Sequence, residues 1–352
     1  MTPSDLEQPA PMKGAMVSRT IGELLDRPQD LQAWLHEITA FQAMLHAVAS
    51  TRLLDQWDAE PVRLPDLAAR TGIEAAKLGR LVTLLASQGV LDFAADGAIC
   101  HTPRSRALQG MRPSIMVARM ALQSALRLGD ALGTDKTAFE VCFGKPVFEY
   151  LAANPEQADH FAQRMSQITV HDEPLILQQL EFPPFRLAVD IGGSHGTLLL
   201  GLLDKYPDAR GIVFDLPDVA TLAEKRLRSH PQGKRIEAVG GSFLESVPAG
   251  GDLYLLKQIL HNWDDARCIR ILKCLREAIA PGGRVVVIDR LLPEVIAPDM
   301  AFEFDLLMMI WSTGRERSLA QFSELLGSAG FMVDKVTTNP GRMSIIEAVP
   351  RN

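Results

Sequence analysis

The sequence predicts an α/β protein: a mostly parallel, doubly wound sheet finished by an antiparallel hairpin and preceded by a mostly helical region. Three observations carry that reading. First, Leu187-Ala-Val-Asp-Ile-Gly-Gly-Ser-His-Gly196 runs from an apolar strand through three glycines into a helix start at Thr197. A strand, a glycine turn and a helix present backbone N–H groups and a helix N-terminus to a ligand. Second, from residue 187 onward short apolar runs alternate with helical spacers, the pattern of a parallel sheet. Third, the last two runs are joined by Thr338-Asn-Pro-Gly341, too short for a crossover, so they pair antiparallel.

Composition bounds the function. At 352 residues the chain is long for one core, and two domains are expected. Hydrophobic residues at 47% and charged residues at 22% are an ordinary globular mix. A net charge of −7 leaves no electrostatic footprint for nucleic acid or an anionic membrane. Cys100, Cys142, Cys268 and Cys274 lack CxxC or Cys/His ligand spacing, so reduced thiols are expected and a metal site is not. The first residues lack an apolar signal segment, and no apolar run reaches the roughly 18 residues of a membrane span. A cytoplasmic protein is the expectation.

Taken in order, residues 1–20 carry Pro3, Pro9 and Pro11 among polar residues and read as a loose arm. From Leu31 to Leu54, apolar residues including Trp34, Leu35, Ile38, Phe41, Leu45 and Val48 recur at helical spacing. Leu64–Gly72 reads as a short helix closed by glycine, and Glu74–Ser87 as a second. Gly89–Phe93 and Ala98–Thr102, joined by Ala95-Asp-Gly97, make a two-stranded wing. That order is a winged helix-turn-helix, which raises a DNA-binding regulator as a rival function. Residues 60–110 hold six Lys/Arg against five acids, too few cations for phosphate-dominated binding. Packing against another subunit is the alternative role.

Helices follow at 114–129 and 155–180, separated by the break Phe143-Gly-Lys-Pro146. Phe161 and Met165 lie near one face of the second and are candidates for core or for a pocket lining. Phe182-Pro-Pro-Phe185 is a stiff stop, which puts the domain boundary near 175–183 and divides the chain into 21–180 and 181–352. Strands are expected at 187–191, 210–214, 235–239, 252–257, 284–289, 331–337 and 343–349, with late helices near 299–312 and 318–328. Asp215, nineteen residues past Gly196, closes the second strand at the spacing from which a carboxylate reaches a ribose hydroxyl pair. By this reading alone the ligand is either NAD or S-adenosylmethionine. His261 lies beyond the carboxyl end of the fourth strand, on the sheet edge that holds ligands, as a general base or a structural histidine. Asp264 reads as the cap of the next helix.

Five motifs then occur in order: Asp190-Ile-Gly-Gly-Ser-His-Gly196, Phe214-Asp-Leu-Pro217, Leu256-Lys-Gln-Ile-Leu-His-Asn-Trp-Asp264, Pro281-Gly-Gly-Arg-Val285 and Gly314-Arg-Glu-Arg-Ser318. Together they resemble the S-adenosylmethionine-dependent O-methyltransferases of the plant caffeate and bacterial natural-product tailoring type. The resemblance covers nearly the whole chain. It implies a Rossmann-like seven-stranded methyltransferase sheet behind a winged-helix dimerisation domain, hence a homodimer with a small-molecule acceptor. It further implies that Asp190, Gly192, Gly193 and Gly196 hold the amino-acid end of S-adenosyl-L-methionine, with Asp215 and Leu216 at the ribose. Ser242 and Phe243 fall on the adenine side and Lys257 near the sulfonium. S-adenosyl-L-homocysteine is then the product.

By the same resemblance His261 deprotonates the acceptor hydroxyl, flanked by Asp289 and Glu316, while Phe161, Met165, Asn262, Met308 and Trp311 touch the acceptor. No metal is implied. Four positions depart from the family pattern: Ser194 replaces a glycine, Ser242 and Asn262 replace aspartates, and Asp289 is one methylene shorter than the usual glutamate. These departures leave open a relative that keeps the cofactor for hydroxylation, decarboxylation or a pericyclic reaction. The apolar, methionine-rich lining suits a flat aromatic or polyketide-like acceptor, methylated on oxygen or on a ring nitrogen.

Overall fold

The computed structural model describes residues 23, 25, 26, 28–339 and 342–351; the arm read at residues 1–20 lies outside the described residues. By contacts the chain divides into two units, Met1–Gln109 and Gly110–Asn352. No helix among the described residues is long and apolar enough to cross a membrane.

The first unit holds α1 (Pro28–Ser50), α2 (Leu64–Thr71), α3 (Ala75–Ser87), β1 (Leu91–Phe93), β2 (Ile99–His101) and α4 (Pro103–Gly110). Gly72 closes α2 at φ 67, and Gly97 turns the wing at φ 79, both left-handed conformations that glycine accepts without strain. The wing strands pair antiparallel, Leu91 opposite His101 and Phe93 opposite Ile99. Leu53, Leu67, Leu78, Leu85, Leu91 and Ile99 are buried together as the core of this unit. The helix-turn-helix and its wing are as read from the sequence.

In the second unit α5 (Arg112–Ala125), α6 (Leu128–Ala131), α7 (Ala138–Phe143), α8 (Val147–Ala153) and α9 (Pro155–Gln179) precede the sheet. The division falls at Gln109/Gly110, earlier than the boundary near 175–183 read from the prolines. The reason is packing: α9 lies along α5, and its Ile176, with Leu180 just beyond it, enters the apolar cluster beneath the sheet beside Leu198 and Leu202. Lys205 Nζ also donates to Leu177 O and Leu180 O at 2.6 and 2.8 Å. Phe182-Pro-Pro-Phe185 follows the end of α9.

The sheet is built from β3 (Leu187–Ile191), β4 (Arg210–Asp215), β5 (Ile236–Gly240), β6 (Leu253–Lys257), β7 (Arg284–Asp289), β8 (Phe331–Thr337) and β9 (Ser344–Pro350). Its order is β5-β4-β3-β6-β7-β9-β8, with β9 antiparallel to both neighbours. Side chains of β3, β6 and β7 alternate between two buried clusters, as strands covered on both faces must. Val189, Tyr254 and Val287 face α12 (Asp265–Ala278) and α14 (Leu319–Ser328). Ala188, Leu255 and Val286 face α10 (Thr197–Lys205) and α11 (Pro217–Arg228). A further helix, α13 (Met300–Trp311), lies between β7 and α14 in sequence.

Candidate active site

The strand order reverses direction at β3, which pairs with β4 on one side and β6 on the other. A crevice opens beyond the carboxyl ends of strands at such a switch point. Asp190, Asp215, Lys257 and Asp289 all stand at or within one residue of these ends. The turn after β3 is left-handed at three positions, Gly192 (φ 65), Ser194 (φ 49) and Gly196 (φ 72). A Cβ on Gly193 would lie 2.7 Å from the Asp190 carboxylate, so the backbone there is bare by necessity. Asp215 is fixed by the same turn: Ser194 N–H donates to its Oδ2 at 2.9 Å and Leu216 N–H to its Oδ1 at 2.7 Å.

Both carboxylates are perturbed by burial. Burial pushes Asp190 up to about 7 against the pull of the Lys257 charge. Burial also raises Asp215, although its two backbone hydrogen bonds favour the ionised form. Two carboxyls raised by burial at neighbouring strand ends are groups that a cationic or hydroxyl-bearing ligand would stabilise.

His261 sits on a single 3₁₀ turn, Leu260–Asn262, directly after β6. The chain turns sharply at Gln258 (φ 55), whose carbonyl accepts from Asn262 Nδ2 at 2.9 Å. Asp264 caps α12 by accepting from Arg267 N–H at 2.8 Å. Glu316 Oε1 lies 2.9 Å from His261 Nδ1, and Asp289 Oδ1 lies 3.5 Å from the same nitrogen. All three side chains are buried.

Burial by itself would lower the His261 pKa, but the Asp289 charge and the Glu316 hydrogen bond outweigh it and hold the imidazole above its usual 6.5. Asp289 in turn is pushed up to about 7, chiefly by burial. Neither oxygen of Asp289 has a hydrogen-bond partner among the described residues. The three donor atoms lie within 4.8 Å of one another, a spacing that could share a cation or a proton. The 2.9 Å contact is the length of a donated N–H bond, which leaves Nε2 as the basic nitrogen.

Residues 126–332 match the O-methyltransferase domain family. The chain belongs to that family. A phenazine O-methyltransferase from Lysobacter antibioticus is 35% identical over 312 residues, 87% of this chain and 92% of that protein. A phenazine-1-carboxylate N-methyltransferase from Pseudomonas aeruginosa is 31% identical over 289 residues, 80% of this chain and 85% of that protein. Among solved structures, an O-methyltransferase of neocarzinostatin biosynthesis in complex with S-adenosyl-L-homocysteine and 1,4-dihydroxy-2-naphthoic acid superposes with a TM-score of 0.75 at 29% identity, covering 88% of this chain and 96% of that one.

The methyl donor of this methyltransferase is S-adenosyl-L-methionine. The crevice suits it, since the bare Gly193 backbone and the raised Asp190 and Asp215 carboxylates fit a cation with ribose hydroxyls. Of the other positions expected at the cofactor, Ser242 and Phe243 are half-buried just past β5, and Leu216 is 44% exposed. Ser242 accepts through its carbonyl from Glu245 N–H and Ser246 N–H at 2.9 and 3.1 Å. Lys257 Nζ donates to Gln258 Oε1 at 3.1 Å.

Among the positions expected at the acceptor, Phe161 stacks near Trp311 with ring centroids 6.1 Å apart, and Trp311 meets Phe139 at 5.5 Å. Met165 follows Phe161 by one turn of α9, and Met308 precedes Trp311 by one turn of α13; both are half-buried. Two residues at this site escaped the sequence reading. Trp263 stacks on Phe148 at 5.5 Å and meets Phe243 edge-on at 5.9 Å, joining the histidine turn to the segment just past β5. Arg317 is fully buried beside the same turn. Both lay inside quoted motifs, and an aromatic two residues after the histidine was the available signal for Trp263.

Proposed function

We propose that the enzyme methylates a hydroxyl of a small aromatic or polyketide-like acceptor, with His261 as general base and Glu316 and Asp289 as its orienting carboxylates. One observation carries this: a buried imidazole at the ligand edge of the sheet, with Nδ1 held 2.9 Å from Glu316. When bound, the cofactor supplies an electrophilic methyl on a sulfonium. His261 Nε2 takes the acceptor's hydroxyl proton, which turns a weak nucleophile into an oxyanion. Glu316 keeps Nδ1 protonated and oriented, and the two carboxylates stabilise the imidazolium that forms. Phe161, Trp311 and Trp263 supply apolar walls that position a flat ring and exclude water. No step requires a metal, and a chelator should leave turnover unchanged.

A ring nitrogen is the second acceptor type, favoured by the N-methyltransferase from Pseudomonas aeruginosa among the relatives. The base distinguishes the two, because a nitrogen lone pair needs no deprotonation. With a hydroxyl acceptor, His261→Ala should lower kcat by roughly 10²–10⁴-fold while cofactor affinity barely changes. Glu316→Gln should cost less, since it removes orientation and charge rather than the proton acceptor. The base works only when neutral, so the rate should rise with pH through an ionisation above the usual 6.5 of histidine. Near-full turnover of His261→Ala, with a product one methyl group heavier, would select nitrogen methylation. Turnover that gives no such mass gain would point to one of the non-methylating reactions.

A further inference from the structure

We infer that Arg317 is a positioning residue for methyl transfer: its guanidinium fixes the backbone turn that carries His261. The inference rests on the reading of His261 as general base. Arg317 is 0% exposed, the largest fully buried side chain among the described residues. Its Nη1 donates to Leu260 O at 3.0 Å and its Nη2 to Trp263 O at 2.7 Å. Those carbonyls bracket His261, one residue before it and two after. The inner side of the fork, Nε and Nη2, donates to Asp265 Oδ1 at 3.0 and 2.7 Å. A planar guanidinium with donors at fixed angles can hold two carbonyls and a carboxylate in one arrangement, which a flexible ammonium cannot.

The neighbouring contacts point the same way. Glu316, the preceding residue, holds the ring of His261 through Nδ1, so one dipeptide grips both the imidazole and its backbone. The Arg317 carbonyl accepts from Leu292 N–H at 3.0 Å, which ties that dipeptide to the chain just past Asp289. Gly314 passes so close to the His261 carbonyl that a Cβ there would overlap it. A buried charge is an expensive filler, and an apolar side chain would occupy the same volume more cheaply if packing were the whole purpose. What only the guanidinium supplies is a fixed direction for the turn, and hence for the imidazole relative to both carboxylates.

The test is Arg317→Lys, which keeps the charge and loses the fork. Cofactor affinity, measured calorimetrically, should stay within about twofold, and the binding stoichiometry reports the folded fraction. A displaced base costs on the order of 10²-fold in kcat for about 1 Å, and kcat should fall on that scale with little change in KM for the cofactor. The acid limb of the pH–rate profile should move down toward 6.5, because the imidazole drifts from the carboxylates that raise it. A kcat within twofold of wild type, or a loss matched by the folded fraction with the limb unmoved, would overturn the inference. If Arg317→Lys does not fold, Asp265→Asn loosens the same fork from a half-exposed site. It should give a several-fold loss of kcat with the same shift of the limb, and no change in either would overturn the inference. His261→Ala is measured alongside: if that variant keeps its turnover, the base assignment itself has failed, whatever Arg317 does.

Discussion

Ser194 stands where a glycine was expected, and it adopts the glycine conformation at φ 49 with its amide 2.9 Å from Asp215. A non-glycine residue in that region costs roughly 1–2 kcal/mol. Glycine there would relieve the strain yet lose about 0.5–1 kcal/mol in chain entropy. The two effects nearly cancel, so Ser194→Gly should leave thermal stability and cofactor affinity close to wild type. Ser194→Val should abolish detectable cofactor binding, because a β-branched residue cannot hold positive φ and the turn would swing its amide off Asp215. Calorimetric titration with S-adenosylmethionine separates the two variants, and tight binding by the valine variant would refute this account of the turn. The histidine was nameable from its place past the fourth strand, its two acids only through motif resemblance. Their convergence joins residues 55 positions apart through Nδ1 and Oε1, and no periodicity encodes that. Arg317 was illegible for the opposite reason, since a charged residue in a loop reads as solvated until its carbonyl partners are known.

At the level of elements, strands and long helices were legible because burial imposes a period. The strand read at 284–289 is β7, and the helix read near 299–312 is α13. The short helices α6, α7 and α8 were not, being too brief for any stripe to repeat; α7 betrays itself only by the capping box of Thr137 and Glu140. In α1 the period outruns the partner. Met44 and Val48 are buried, but Leu35 is 50% and Phe41 45% exposed on the same helix, and Leu31, Trp34 and Ile38 are only half-buried. An apolar stripe that the described residues of its own unit do not cover suits docking, and a second copy of α1 is the partner we propose for it. Light scattering at micromolar concentration should then give twice the 38.6 kDa chain mass. Leu35→Glu with Phe41→Glu should shift the population toward the monomer. A monomeric wild-type protein would remove the proposal.

For the whole molecule, the sheet topology agrees with the methyl donor that the motif resemblance implied. A dinucleotide sheet ends in parallel strands, whereas here β9 enters antiparallel between β7 and β8. The same topology gathers its acids at one edge, and this sets how the fold responds to pH. Asp190 and Asp289 both stand near 7 in the folded state, against 3.8 for a free carboxyl. A group with a raised folded pKa contributes stability below its unfolded value and loses it as pH climbs through the folded one. His261 has the same sign, its contribution complete below 6.5 and lost above its raised folded value. Asp265, lowered by its Arg317 and Arg315 partners although its own burial opposes them, acts only below 3.8 and stays out of this window. Asp190 should therefore cost on the order of 1 kcal/mol between pH 6 and 8, and Asp289 acts in the same direction. The cofactor-free enzyme should lose a few °C in Tm over that range. S-adenosylmethionine brings cationic groups to the crevice that holds Asp190 and favours its ionised form, so the Tm gain on adding cofactor should grow from pH 6 to 8. Asp190→Asn should flatten that growth. A gain that is constant with pH in the wild-type enzyme would mean that Asp190 does not face the cofactor's charge.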